Sequence, residues 1–425
     1  MIELRKYQKE IANECRENLA RYRLCYLAME VRTGKTLTAL EAVNYGAFKS
    51  VLFVTKKKAI PSILKDYESL KPCYKIEVVN YESLHKIENK KIDCVIADEA
   101  HKISAYPKPS KAQKQLKSII SENPFCSVIF LSGTPSPESY SQLFHQFDIS
   151  GSTPFDESSF YKWAKKYVNI KQRYVAHGST VNDYSDAREK DIMQVLDKYF
   201  IRYTQTQAGF KNQVTEEVLS VKMSNTTETI IKRLLKDLVF EGKEKTIVAD
   251  TGVKLQSKVH QLCSGTIKFD DDSRAIIDKS KALFIAKKFE GKKIAVFYKF
   301  VAERELLQEV FTNTTDTPEE FNSSDSCVFL GQMQSAREGI NLSTADCIVF
   351  YNIDFSALSY WQCRDRMTSK TRTKENKVYW VFSSGGIEEK IYKRVLDKKD
   401  YTLNHFNRDY EIRDKQNGAS QKQLW

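Results

Sequence analysis

Short, unbroken apolar runs punctuate this chain, and stretches with the spacing of amphipathic helices separate them. In the first half the runs are Leu24–Ala28, Val51–Thr55, Val78–Val79, Cys94–Ala97 and Val128–Leu131. A second series begins near Ser280 and holds Ile294–Tyr298, Cys327–Leu330, Cys347–Tyr351 and Val378–Phe382. Continuous β-branched runs that alternate with helices predict parallel strands buried on both faces. The pattern therefore predicts an α/β chain. Helices are expected from Leu4 to about Arg21, over Leu37–Val43, at 225–242 and around 253–263. Residues 151–190 are less regular and read as an accessory insert, with a hairpin near Tyr174 to Val181. The organisation expected is a first unit over 1–205, a linker over 206–222, a second unit over 223–405 and a basic tail over 406–425.

Each strand run ends in polar residues, and ligands of open α/β sheets bind beyond the carboxyl ends of the strands. After the first run comes Ala28-Met29-Glu30-Val31-Arg32-Thr33-Gly34-Lys35-Thr36. A strand, a tight loop closing on Gly-Lys-Thr and a helix make a phosphate cradle. Loop N–H groups and the helix N-terminus face the phosphates, Lys35 reaches the β/γ oxygens and the Thr36 hydroxyl holds Mg²⁺. The full pattern has a glycine where Met29 stands, so taken alone an ordinary loop with a lysine competes. Asp98-Glu99-Ala100-His101, directly after Cys94–Ala97, argues against that. Asp98 suits Mg²⁺ and Glu99 suits the orienting and deprotonation of a water, which together read as an ATPase site.

Other strand ends carry weaker signals. Gln8 has an amide that can pair with the N6/N7 edge of adenine, with Arg5 or Tyr7 beside it, although the same residues suit a plain helix start. Lys56-Lys57-Lys58 closes the second run as a phosphate-backbone contact or a solvated loop. Asn80 and Tyr81 close the third run, Ser132-Gly133-Thr134-Pro135 the fifth, and Lys299 the first run of the second series. Lys171, Arg173 and His177, interleaved with Tyr174 and Tyr184, form a basic-aromatic patch in the insert. Such a patch is a candidate strand-separating wedge, or a surface hairpin with its tyrosines packed down.

Composition sharpens this. At 425 residues the chain exceeds what one core usually serves, so two domains are expected. The net charge of +12 favours a polyanionic partner, nucleic acid first, over a merely solvated basic surface. Nine scattered cysteines without a Cys-x-x-Cys pair read as reduced core residues. The charged N-terminus and the lack of any run of membrane-spanning length point to a soluble, cytoplasmic protein, in the host cytoplasm if viral.

In order, residues 5–8, 28–36, 51–60, 78–82, 98–102 and 132–135 resemble motifs Q, I, Ia, Ib, II and III of superfamily 2 helicases. The Swi/Snf-type branch is the most similar. Its Ala-Asp-Glu-Met-Gly-Leu-Gly-Lys-Thr is matched by Ala28–Thr36, and Phe200-Ile201-Arg202-Tyr203-Thr204 resembles its closing arginine helix of the first lobe. In the second series, Gln334-Ser335 with Arg337–Leu342 resembles motif V and Ser359–Arg366 the opening of motif VI. Gly386–Ile391 resembles the segment after it. The likeness spans about residues 4 to 400. Three positions depart from the pattern. Ser369 stands where motif VI has a second arginine, with Lys370 and Arg372 nearby; Arg32 replaces a loop glycine; Lys56 replaces the usual motif Ia proline.

The resemblance implies two tandem RecA-like lobes, each a parallel sheet flanked by helices, with ATP in the inter-lobe cleft. It implies that Arg5 and Gln8 serve the base, and that Arg32, Thr33, Gly34, Lys35 and Thr36 serve the phosphates. Asp98 joins Thr36 on Mg²⁺ and Glu99 is the catalytic base. Gly339, Gln362 and the arginine finger Arg366 come from the second lobe. Ser132, Gly133 and Thr134 couple hydrolysis to movement. DNA falls to Lys56, Lys57, Lys58, Asn80, Tyr81, Lys299, Gln334 and Ser335, gripped by its backbone and so without sequence preference. The expected activity is a DNA-stimulated ATPase that tracks along duplex, forked or branched DNA. The compact form is similar to versions carried by bacteriophages, for which replication, recombination or repair DNA is the expected substrate. A nucleotide-gated DNA clamp with little hydrolysis, motivated by Ser369, and an RNA helicase stay open as alternatives.

Overall fold

The computed structural model describes residues 3–87, 91–174, 180–210, 214–242, 245–333, 342–356 and 374–396. The chain forms two compact units, Met1–Lys211 and Asn212–Trp425.

The first unit is built on six strands: β1 (Leu24–Met29), β2 (Ser50–Thr55), β3 (Lys75–Asn80), β4 (Cys94–Asp98), β5 (Ser127–Leu131) and, past a hairpin, β8 (Phe200–Tyr203). Their order is β3-β2-β4-β5-β1-β8, and every neighbouring pair is parallel. Side chains alternate across the sheet, so each strand feeds two cores. Tyr26, Leu52, Val54, Val95, Ala97 and Phe130 point into one. Cys25, Leu27, Phe53, Ile96 and Ile129 point into the other. Double-sided burial is why these strands are continuous apolar runs rather than alternating ones.

Helices α1 (Lys6–Tyr22), α2 (Lys35–Ala42) and α3 (Ile60–Leu70) cover the second core through Ile11, Cys15, Leu40 and Ile63. Helices α4 (Lys111–Ser121), α5 (Gln142–Phe147), α6 (Phe160–Tyr167) and α7 (Glu189–Leu196) cover the first, through Leu116, Phe144, Trp163 and Ile192. The insert contains the expected hairpin as β6 (Lys171–Tyr174) and β7 (Thr180–Asp183), antiparallel. Residues 200–204 depart from the helix that the resemblance implied. Phe200–Tyr203 is a strand in register with Tyr26–Met29. The aromatic and β-branched residues suit a half-buried edge, where Phe200 stacks on Tyr26 at 4.4 Å between ring centres.

The second unit holds a six-stranded sheet in the order β15-β16-β14-β17-β18-β9, again parallel throughout. These strands are β9 (Val214–Val221), β14 (Ile294–Tyr298), β15 (Thr314–Thr315), β16 (Val328–Gln332), β17 (Cys347–Phe350) and β18 (Asn376–Ser383). Helices α8 (Asn225–Asp237), α9 (Gly252–Cys263), α10 (Ser280–Lys288), α11 (Val301–Val310), α12 (Pro318–Ser323) and α13 (Ile387–Leu396) flank it. Two small antiparallel pairs, β10 (Val239–Glu241) with β11 (Thr246–Val248) and β12 (Thr266–Lys268) with β13 (Arg274–Ile276), complete the unit.

Two stretches differ from the sequence reading. Within 206–222, expected as linker, Val214–Val221 is β9, which pairs with β18 over its whole length. The helix expected over 225–242 stops at Asp237, because Leu238 turns left-handed (φ 63°) and Val239–Glu241 enters a hairpin. The turn and the β-branched residue after it end the helix. Of the cysteines described, seven are buried and Cys73 is exposed, all as free thiols.

Candidate active site

In the first sheet β4, β5 and β1 are adjacent, so the loops after them meet at one carboxyl edge. Those loops carry Asp98-Glu99, Ser132–Pro135 and the phosphate loop. A Cβ placed on Gly133 would lie 3.4 Å from the Met29 carbonyl oxygen and 3.6 Å from Lys35 Nζ. The glycine segment after β5 therefore lies directly against the lysine of the phosphate loop. Its far end is tied down by Gln146, whose Nε2 donates to the Pro135 carbonyl at 2.8 Å and whose Oε1 accepts from the buried Tyr26 hydroxyl at 2.7 Å.

The phosphate loop turns on two left-handed residues, Arg32 (φ 65°) and Gly34 (φ 87°), and Gly34 caps α2. Lys35 Nζ donates to the Met29 carbonyl at 3.0 Å, which holds the ammonium over the loop. Thr33 is buried, with its hydroxyl spent on the Glu30 carbonyl at 2.7 Å, so it shapes the turn through its side chain. Gln8 is buried against Gly34. Its Oε1 accepts from the Arg5 N–H at 2.9 Å and its Nε2 donates to the Gly34 carbonyl at 3.3 Å. The amide expected to read adenine thus joins the start of α1 to the phosphate loop. Arg5 is exposed and donates to the Tyr7 hydroxyl at 2.8 Å.

Asp98 ends β4 with its carboxylate accepting from the Thr55 hydroxyl at 2.7 Å. Burial, then the neighbouring Glu99 charge, push its carboxyl up to about 6, against the pull of Thr55 and Lys35. A cation beside this pair offsets that cost, and an oxygen set of the Asp98 carboxylate and the Thr36 hydroxyl suits Mg²⁺. Glu99 takes a left-handed backbone (φ 51°), uncommon outside glycine and typical of functional sites. Its Oε2 lies 3.3 Å from Nδ1 of the buried His101, which limits where the carboxylate can swing.

Sequence reading missed Thr55 and Gln146 because a contact across strands or helices leaves no local spacing. Only the position of Thr55 at a strand end hinted at a role.

The predicted DNA contacts divide. Lys57 and Lys58 are exposed on the turn after β2, with Lys56 half-buried before them. Asn80 donates to the Glu82 carboxylate at 2.8 Å. Tyr81 is only 4% exposed, and its hydroxyl donates to the Asp98 carbonyl at 2.6 Å, so it is a brace beneath the site and not a DNA contact. The apolar ring gains more from the core than a surface position offers. Lys299 in the second unit is likewise drawn inward, paired with Asp354 at 2.6 Å and lying 4.4 Å from the Phe355 ring centre. Lys171 of the hairpin pairs with Asp186 at 2.7 Å. Gln334, Ser335, Gly339, Gln362 and Arg366, with Ser369, Lys370 and Arg372, lie outside the described residues. His177 and the side chains of Arg173 and Tyr174 do too.

Two RecA-like units with a lysine-bearing phosphate loop beside paired carboxylates define an ATP-hydrolysing enzyme. Residues 41–279, more than half of the chain, match the SNF2-related domain, and residues 280–369 match the helicase conserved C-terminal domain. The chain belongs to the SNF2-related domain family, in the Swi/Snf-like branch of superfamily 2. The first match begins just after the phosphate loop, whose assignment rests on its own geometry.

Among relatives, the chromatin-remodeling ATPase INO80 of Gibberella zeae is 27% identical over 31% of this chain and 8% of its own length. Human INO80 is 35% identical over 19% of this chain and 5% of its own, and helicase SWR1 of Cryptococcus neoformans 36% over 22% and 8%. The match thus spans less than a tenth of each of these relatives.

Proposed function

We propose that this chain is an ATP-driven motor that tracks along DNA by its phosphate backbone. The observation that carries this reading is a junction at the carboxyl edge of the first sheet. Thr55 ends β2, donates to the Asp98 carboxylate and is followed at once by Lys56-Lys57-Lys58. Tyr81, which follows β3, donates to the main chain of the same aspartate. A displacement of the basic turn therefore reaches the carboxylate, and one of the segment after β3 reaches the Asp98 main chain, each through a single hydrogen bond. The net charge of +12 and the Swi/Snf-like family support a nucleic-acid track.

Lys35 offsets charge on the β/γ oxygens, and loop N–H groups orient them. Thr36 and Asp98 hold Mg²⁺, which when bound neutralises charge shared by the transferring phosphoryl group. Glu99 orients the attacking water and takes its proton, steadied by His101. Arg366, from the second unit, stabilises charge at the transition state. Exposed lysines that grip phosphates give binding without sequence preference, and the β6–β7 hairpin is the candidate wedge where strands part at forks or junctions in replication, recombination or repair DNA.

The test is phosphate release without nucleic acid and with single-stranded, duplex, forked and four-way DNA, and with RNA. Stimulation by DNA above RNA is expected. Lys35→Ala should abolish turnover, and Glu99→Gln should bind ATP without hydrolysing it. Hydrolysis by either variant within about threefold of the parent refutes the site. Tight, nucleotide-dependent DNA binding without turnover would favour the clamp, and stimulation by RNA alone the RNA helicase.

A further inference from the structure

The phosphate loop has a single glycine between Met29 and Thr36, yet it must present several N–H groups to a polyanion. A planar trans peptide points its C=O and N–H in opposite directions, so a bond on one carbonyl aims the next residue's N–H. Three carbonyls of this loop are held by side chains from outside it. The Tyr7 hydroxyl donates to Thr33 O at 3.0 Å and Gln8 Nε2 to Gly34 O at 3.3 Å. The third is Val31 O, which accepts from Gln205 Nε2 at 2.9 Å.

Gln205 is itself anchored. Its main-chain N–H donates to Glu30 Oε2 at 2.6 Å, while the Glu30 N–H donates to Tyr203 O at 2.9 Å. Tyr203 stacks on Tyr7 at 4.7 Å between ring centres, and its hydroxyl donates to Gln207 O at 3.0 Å. The segment after β8 folds back on itself, with the Ala208 N–H on Thr204 O at 3.1 Å and the Gly209 N–H on Thr206 O at 3.0 Å. It is a compact turn with the amide of Gln205 reaching out of it to the loop.

We infer that Gln205 is a positioning residue for nucleotide binding: its amide fixes the Val31–Arg32 peptide plane, and with it the Arg32 N–H that faces the phosphates. This rests on ATP binding in this loop. Arg32 stands where the Swi/Snf-like pattern has a glycine, and a non-glycine residue at φ 65° is strained, so an outside hold on the preceding carbonyl helps to keep that conformation. Gln205 also stands on the segment that leads out of the first unit, which ties the loop's nucleotide affinity to the shape of that exit.

The experiment measures affinity for a fluorescent ATP analogue and for ADP, together with kcat and KM, for the parent, Gln205→Ala, Gln205→Glu and Lys35→Ala. Loss of the amide should raise Kd and KM about tenfold, the loss expected for one well-aligned hydrogen bond. At saturating ATP, kcat should stay within about threefold of the parent, because the reacting groups are untouched. Gln205→Glu, which keeps the size but lacks the donor, should weaken binding at least as much. A parent-like Kd in both variants overturns the inference, as does a loss confined to kcat or to the melting temperature. A parent that binds no ATP overturns the ATP reading itself. A parent that binds while Lys35→Ala does not leaves that reading standing, and the Gln205 variants then decide.

Discussion

Asp98 is the residue at which stability and function conflict. Its carboxyl is raised to about 6 by burial and by Glu99, whereas an unfolded aspartate titrates near 3.9. A folded pKa above the unfolded one means that the folded state holds the proton more tightly. The associated stability is full below about pH 4 and is lost as pH rises through about 6. At pH 8 the metal-free protein therefore carries Asp98 ionised beside the part-exposed Glu99 at a cost. Asp98→Asn should raise the melting temperature at pH 8, by roughly 2–4 °C per kcal/mol relieved, with little gain at pH 4.5. It should also abolish ATP hydrolysis. Paired melts with and without Mg²⁺ check this: added Mg²⁺ should narrow the gap between parent and variant at pH 8. An unchanged or lower melting temperature in the variant at pH 8 would contradict the assigned cost.

At the scale of the element, the turn after β2 and the segment after β3 divide roles that look alike in sequence. Lys57→Ala with Lys58→Ala should weaken DNA binding and make it less salt-dependent, by roughly 0.9 in the log–log slope for each phosphate that is no longer neutralised. Tyr81→Phe removes one buried hydroxyl from the Asp98 carbonyl. It should cost roughly 0.5–1.5 kcal/mol of stability in a denaturant melt, with DNA affinity unchanged. A DNA defect in Tyr81→Phe equal to that of the lysine pair would restore the tyrosine to the interface. The β6–β7 hairpin is tested by replacing residues 173–181 with a short Gly-Ser turn. DNA-stimulated hydrolysis should survive while fork unwinding collapses. Equal loss of both marks a folding defect, and loss of neither removes the wedge.

At the scale of the molecule, each unit carries its own sheet, and among the described residues every core cluster draws its members from one unit. The second unit even buries a complete ion pair, Lys281 with Glu388 at 3.0 Å, with the Ser383 hydroxyl on the same carboxylate at 2.7 Å. Such a pair survives out of water only because its geometry and extra hydrogen bond offset desolvation. In the proposed mechanism Arg366 adds its charge to the chemistry of Lys35 and Glu99. Arg366→Ala should lower turnover by orders of magnitude, up to the roughly 10³–10⁵ that an arginine finger typically supplies. ATP-analogue affinity should stay within about threefold, which equilibrium binding beside single-turnover rates will show. Parent-like turnover would mean that hydrolysis proceeds without that arginine.

The amino-acid sequence by itself determined the α/β class and nine of the twelve strands of the two sheets, and it marked Lys35, Thr36, Asp98 and Glu99 as the candidate ATP-handling groups. Strands buried on both faces must be continuous apolar runs, and phosphate chemistry needs particular residues at short spacing, so both leave local marks. Tertiary structure alone decided what those neighbourhoods touch. Phe200–Tyr203 became a strand because β1 offered an open edge in register, and Val214–Val221 joined the second sheet because β18 did. Tyr81 turned inward, Gln8 turned to the phosphate loop, and Thr55 and Gln205 acquired roles through partners more than 40 residues away in sequence. A hydrogen bond across a sheet depends on which strands become neighbours, and strand order is settled by packing the whole unit rather than by any local pattern.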